Sequence, residues 1–252
     1  MRNVKLIIQY DGTHYHGWQI QSRHATVQGT VLAAIQTMVP NHPVKFVGAS
    51  RTDVGVHALG QVGNFWIPRE VTLPCAAFYH GLNSLTPDDI IIAEVQEVAE
   101  AFHARFDASG KTYCYQILNT PAGSIYHRRF AWHLRSPLNL EAMRHGARWL
   151  LGCHDFTSFQ ASSCGSETAI RTVFALHIQQ HHDLIWVVIK ANAYLHRMVR
   201  TIVGTLVEVG MGRRTSQSVG EILAAKDRRV AGVTAPAHGL FLVRVHYPRH
   251  SS

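Results

Sequence analysis

The chain has 252 residues, 46% of them hydrophobic, with 24 Lys and Arg against 16 Asp and Glu and a formal net charge of +8. That length allows one large domain or two small ones with a real core, and no apolar run approaches the roughly 18 residues needed to cross a bilayer. The start, MRNVKLIIQYDG, holds too brief an apolar run for a secretory signal, so a cytoplasmic protein without a membrane partner is expected.

In chain order, VKLIIQY (4–10) is rich in β-formers and stops at the Asp11-Gly12 turn signal. Thr26 can cap a helix whose Val27, Val31, Ile35 and Met38 share a face. VKFVGA (44–49) and QVGNFWI (61–67) read as strands, followed by a helix around 74–82 and a strand around 90–98. The same order then repeats. KTYCYQIL (111–118) is a strand, and Asn139 can cap a helix running through Leu151. RTVFALHI (171–178) and LIWVVIKA (184–191) are paired strands around the turn-like HHD, and a helix near 196–208 and a last strand, LFLVRVHY (240–247), follow. SVGEILAAK (218–226) is an additional helix.

The pattern predicts an α+β fold of two ferredoxin-like, RRM-like β-α-β-β-α-β halves, residues 1–104 and 105–252. The sheet is expected to be mostly antiparallel, with helices on one side and a cleft between the halves. Such units host many functions, so the fold alone does not choose one. Charge is more telling. Residues 1–104 hold 6 basic and 8 acidic side chains, whereas 105–252 hold 18 and 8. A half this basic points to a polyanion, and to nucleic acid before a membrane surface. The four cysteines, Cys75, Cys114, Cys153 and Cys164, form no C-x-x-C and read as reduced thiols. The 18 histidines include no H-E-x-x-H, so no catalytic metal is expected.

Three local features invite chemistry. In VGASRTDVGVHALGQVGNF (47–65), Gly48 and Gly55 flank a turn that offers Arg51 and Asp53, two residues apart, to one side. A solvated turn with a local ion pair is the plain alternative. In NAYLHRMVRTIVGTLVEVG (192–210), Arg200 sits among Leu195, Met198, Val199, Ile202, Val203 and Leu206. It therefore either meets a carboxylate or faces the surface. Tyr113 and Tyr115 alternate onto one strand face, either as core or as a platform on which a base stacks.

ASRTDVGVHALGQV, FHARFDASGKTYCY, GCHDFTSF and NAYLHRMVRTIVGTLVEVG, preceded by QYDGTHYHGWQIQ and followed by AAKDRRVAGVTAPAHGLFLVRVHY, together resemble the TruA family of tRNA pseudouridine synthases over nearly the whole chain. The resemblance implies isomerisation of uridine to pseudouridine at positions 38, 39 and 40 in the anticodon arm of tRNA, by a homodimer that needs no cofactor and no metal. It makes Asp53 the catalytic aspartate and Tyr113 the tyrosine that stacks on the target base. Arg200 becomes the arginine that pairs with the aspartate, and Arg51 the one implicated in displacing the nucleotide. Ser50, where many members have glycine, and Val54, in place of a smaller residue, depart from the pattern and bear on loop shape rather than chemistry. His57, Gln61 and His154 are expected to support loops.

Isomerisation explains why one carboxylate suffices. The C1′–N1 bond breaks, the base turns over and C1′ joins C5, so no water needs a second carboxylate to activate it. The aspartate acts either as a nucleophile at C1′ or as the base that yields a glycal, and the sequence leaves both open. Two rivals share the charge and fold. One is a non-catalytic RNA-binding protein, to which a carboxylate beside Arg51 is a liability. The other is a metal-independent ribonuclease using two histidines, which would shorten the RNA.

Overall fold

The structure, a computed structural model, describes residues 1–161 and 167–248. These divide into two compact units, Met1–Ser109 with the chain from Leu242 onward, and Gly110–Phe241. The order of elements in the sequence places the division at 104/105 and the last strand with the second half.

The first unit runs β1 (Arg2–Tyr10), α1 (Val27–Met38), β2 (Lys45–Gly48), β3 (His57–Ile67), α2 (Cys75–Leu85) and β4 (Ile90–Val98). Its strands pair antiparallel in the order β4-β1-β3-β2. This is the order of a split β-α-β unit, since each helix returns the chain across the sheet to a non-adjacent position. Val4, Leu6 and Ile8 alternate inward on β1 and meet Val31 and Ile35 of α1, Phe78 and Leu82 of α2, and Phe65 of β3 in one apolar core. The Phe65 and Phe78 rings pack edge to face with centroids 5.4 Å apart. Thr26 caps α1 as its position predicts, its hydroxyl accepting from the Gly29 amide. Strand β3 starts four residues earlier than the sequence suggested, at His57, and β10 (Leu240–His246) joins its edge where Gly60 leaves room for the Val243 carbonyl.

The second unit runs β5 (Gly110–Asn119), β6 (Trp132–Leu134), α3 (Leu140–Arg148), β7 (Gly152–Asp155), β8 (Ile170–His181), β9 (Leu184–Ala191), α4 (Met198–Gly210) and α5 (Ser218–Ala225). Antiparallel pairing orders four of its strands β5-β9-β8-β7, and β6 adds in parallel to β5. Asn139 caps α3 by accepting from the Ala142 amide, but the regular helix ends at Arg148, short of the expected Leu151. The β8–β9 hairpin turns through His182 at φ +54°. Helix α4 is buried on nearly every side and packs against α3, which is why its sequence reads as apolar throughout rather than as a stripe. Among the described residues no helix is long and apolar enough to cross a membrane.

Candidate active site

Asp53 lies in the connection between β2 and β3, a segment with no regular hydrogen bonding of its own. Neighbouring side chains hold it instead. Gln61, fully buried in β3, takes the Ser50 amide on Oε1 at 3.2 Å and donates from Nε2 to the Ser50 carbonyl at 2.7 Å. Thr52 is buried, its hydroxyl 2.8 Å from that of Tyr10 and its carbonyl accepting from the Trp18 amide at 3.1 Å. The turn closes with the Val56 amide donating to the Asp53 carbonyl at 3.2 Å, aided by Gly55 at φ +75°. These ties leave Arg51 exposed and Asp53 half-buried between two anchored neighbours.

The expected role of Gly48 takes a different form. It belongs to β2, and its missing Cβ makes room for the Trp18 ring, which lies directly against it. Gly17, at φ +80°, likewise lets the segment before α1 approach, since a Cβ there would stand 2.5 Å from the Thr52 carbonyl oxygen. Tyr10, Gly17 and Trp18 are thus supports that the sequence reading missed. The one available signal was a glycine beside a tryptophan in HYHGW. His57 supports the same region, with the Gly12 amide and Asp11 Oδ1 each 3.0 Å from its Nδ1. His154, in the other unit, holds the Leu151 carbonyl at 2.7 Å from Nε2.

In the second unit Arg200 projects from the first turn of α4 towards the segment that follows α5. Its Nε donates to the Ala235 carbonyl at 2.8 Å, while the Ala235 amide donates to the Arg200 carbonyl at 3.1 Å. That segment is held along α4 by two further bonds. The Gly232 amide meets the Thr205 hydroxyl at 3.0 Å, and the Val233 amide meets Glu208 Oε1 at 3.1 Å. It then delivers the Pro236 carbonyl to the Tyr115 hydroxyl at 2.8 Å. Burial pushes the Tyr115 phenol well above its ordinary range, and the positive charge of Arg200 partly opposes this. His238 is held below its ordinary value mainly by desolvation, with Arg200 adding to the effect.

Tyr113 is only 5% exposed and stands edge to face with Tyr194, the ring centroids 4.9 Å apart. The Tyr194 hydroxyl lies 3.0 Å from the Lys111 carbonyl and 2.9 Å from that of Ile189, so its ring is fixed behind Tyr113. Burial raises the Tyr194 phenol far above its usual range. Cys114, between the two tyrosines, is buried as well, so β5 is covered on both faces here rather than on one. Burial pushes its thiol up to about 12. Cys75 is half-buried and Cys153 exposed, and Cys164 lies outside the described residues. Among the described residues no cluster of His, Cys, Asp and Glu is arranged to hold a metal ion.

The pattern of the tRNA pseudouridine synthase family matches residues 6–107 and 147–248. The tRNA pseudouridine synthase A of Thermoanaerobacter sp. (strain X514) is 45% identical over 247 residues, spanning 98% of this chain and 100% of the relative. Those of Acetivibrio thermocellus and Syntrophotalea carbinolica are each 44% identical over 98% of this chain, and over 100% and 97% of their own lengths. Among solved structures, the archaeal box H/ACA sRNP Nop10–Cbf5 complex aligns with 96% of this chain and 47% of that chain at 12% identity. Its TM-score of 0.33 is too low to inform fold or function.

Proposed function

Since the chain belongs to the tRNA pseudouridine synthase family, and is an isomerase that converts uridine to pseudouridine, we propose that Asp53 is its catalytic carboxylate. We further propose that Tyr113, Arg200 and Arg51 bind the substrate. The observation that carries the reading is the Asp53 loop. Ser50 and Thr52, just before the aspartate, are tied down by the buried side chains of Gln61 and Tyr10, which is the preorganisation a single reacting carboxylate requires. In this reading Tyr113 stacks on the everted uracil, with Tyr194 fixed behind it. Arg200 attracts the Asp53 carboxylate, and Arg51 takes the place of the displaced nucleotide or holds its phosphate. The proposed targets are uridines 38, 39 and 40 of the anticodon arm, the proposed working form is a homodimer, and the proposed location is the cytoplasm.

Over the reaction the C1′–N1 bond is exchanged for C1′–C5, the proton on C5 is lost and N1 gains one. The products are isomeric with the substrate. Asp53 serves either by attacking C1′ or by removing a ribose proton on the way to a glycal.

Loss of the C5 hydrogen supplies the test. Unmodified tRNA tritiated at C5 of uridine is incubated with the native enzyme and with Asp53→Asn, chelator present. Tritium release by the native enzyme alone, on intact RNA, is the expected result. Release by Asp53→Asn at the native rate would remove Asp53 from the chemistry, and shortened RNA would mean a nuclease.

A further inference from the structure

The first unit carries a run of rings and cations for which the isomerisation chemistry has no use. Lys45 of β2 holds its ammonium 5.8 Å from the ring centroid of Trp66, its cross-strand neighbour on β3. The Trp66 ring lies 6.1 Å from that of His103, and the His103 ring 4.3 Å from that of Phe106 at an interplanar angle of 36°. Arg105 completes the series, its guanidinium carbon 5.6 Å from the Phe106 centroid. The strip therefore has a cation at each end and three rings between. Phe106 is 73% exposed.

This exposure is built in. The loop that presents Phe106 is closed on itself, with the His103 amide donating to Asp107 Oδ2 at 2.9 Å and the Asp107 amide to the His103 carbonyl at 3.1 Å. The amides of Arg105 and Phe106 point at His103 Nδ1 from 3.2 and 3.4 Å, which fixes the imidazole plane and makes Nδ1 an acceptor. The loop is also anchored in the core. The Ala104 amide donates to Oδ1 of the buried Asn64 at 2.9 Å, and the Ala104 carbonyl accepts from the Tyr247 hydroxyl at 2.7 Å. Trp66 is fixed by its indole N–H, which donates to the Glu100 carbonyl at 3.0 Å. A large apolar ring is thus held in water by a loop whose own hydrogen bonds stop it folding over the ring.

We propose that this strip is a tRNA-contact site, in which an unpaired nucleobase stacks on Phe106 and the flanking phosphates meet Arg105 and Lys45. Single-stranded nucleic acid offers alternating π faces and negative charges, and rings interleaved with cations are their complement. Charge supports RNA over a protein partner. The first unit, Met1–Ser109 with Leu242–Ser252, carries nine basic and nine acidic residues, so bulk charge gives it no hold on a polyanion and it needs local cations of this kind. Two carboxylates beside the strip are engaged, Asp107 with the His103 amide and Glu100 with the terminal amine at 2.8 Å. The site rests on tRNA being the substrate and is independent of the role given to Asp53.

The test combines steady-state kinetics, direct tRNA binding over a salt series and sedimentation. Phe106→Leu keeps apolar bulk but removes the π face. It is expected to weaken tRNA binding by about tenfold and to raise KM by more than it lowers kcat, with Phe106→Trp restoring both. Arg105→Gln is expected to reduce the slope of log affinity against log salt by about one. Native-like binding by Phe106→Leu overturns the proposal, as does a Phe106→Trp variant no better than Leu. A changed sedimentation coefficient that tracks the loss of affinity would make the strip a protein interface instead. If Phe106→Leu does not fold, an unchanged salt slope for Arg105→Gln suffices to reject the site.

Discussion

At the scale of single residues, Asp53 is defined by what holds its neighbours. Gln61 is the clearest case, because one buried amide serves both backbone groups of Ser50 and also accepts from the Val62 amide at 3.2 Å. Shortening it leaves those partly buried polar groups without their partner, at about 1–3 kcal/mol for an unsatisfied buried group. Gln61→Ala is therefore expected to lower stability by about 2 kcal/mol in urea unfolding and to reduce kcat/KM at least tenfold. Native-like values of both would mean that the loop keeps its shape without the amide. Gln61 is legible as a support from its motif. Tyr10 and Trp18 are not, because nothing local in the chain links residue 10 or 18 to residue 52. The same limit applied to Tyr194, whose position behind Tyr113 depends on β5 lying beside β9.

Among the elements, α1 shows how a local signal and a tertiary one reinforce each other. Thr26 accepts from the Gly29 amide, and the next amides are also spoken for, Val27 donating to the Gly17 carbonyl and Gln28 to that of Trp18. The start of the helix is thereby stitched to the segment that touches the Thr52 carbonyl. Thr26→Ala is expected to cost about 1 kcal/mol, visible as a lower midpoint in thermal or urea unfolding, whereas Thr26→Ser should recover most of it. Equal stability of Ala and native would show that the backbone bonds alone seat the helix. The long periodic elements were legible because their spacing of apolar residues is set by burial on one side. Strands β6 and β7, of three and four residues, were not, since such short pieces show no period and form only where a neighbouring strand offers its edge. The left-handed backbone of Arg197 at φ +61°, which opens α4, was also invisible, as arginine carries no local signal for that conformation.

For the whole molecule, charge is the property that composition reports best. With 18 of the 24 basic residues beyond position 104, most tRNA affinity is expected to come from phosphate contacts made by the second half. Affinity should accordingly fall by about a hundredfold between 50 and 200 mM salt, while the choice of uridine stays the same. A change of less than twofold would mean that the basic surface is not the binding surface. Counting charges needs no fold, but knowing which of them are free to meet a phosphate does. Arg200 donates to the Ala235 carbonyl, and Arg214 donates to Glu208.

The sequence by itself determined the order of the long elements, the doubled β-α-β-β-α-β plan and the family, and it offered the residues on which the proposed site is centred. All of these are written in neighbouring residues or in the order of motifs. Tertiary structure alone decided that Gln61 grips both backbone groups of Ser50, that Trp18 holds the Thr52 carbonyl, that Ala235 receives Arg200, and that Phe106 stands out in solvent on a loop tied to Asn64. These partners lie 11 to 40 residues apart in the chain, and Tyr115 and Pro236 are 121 apart. Periodicity records which face of an element is buried. Only the packing of one element on another records against what.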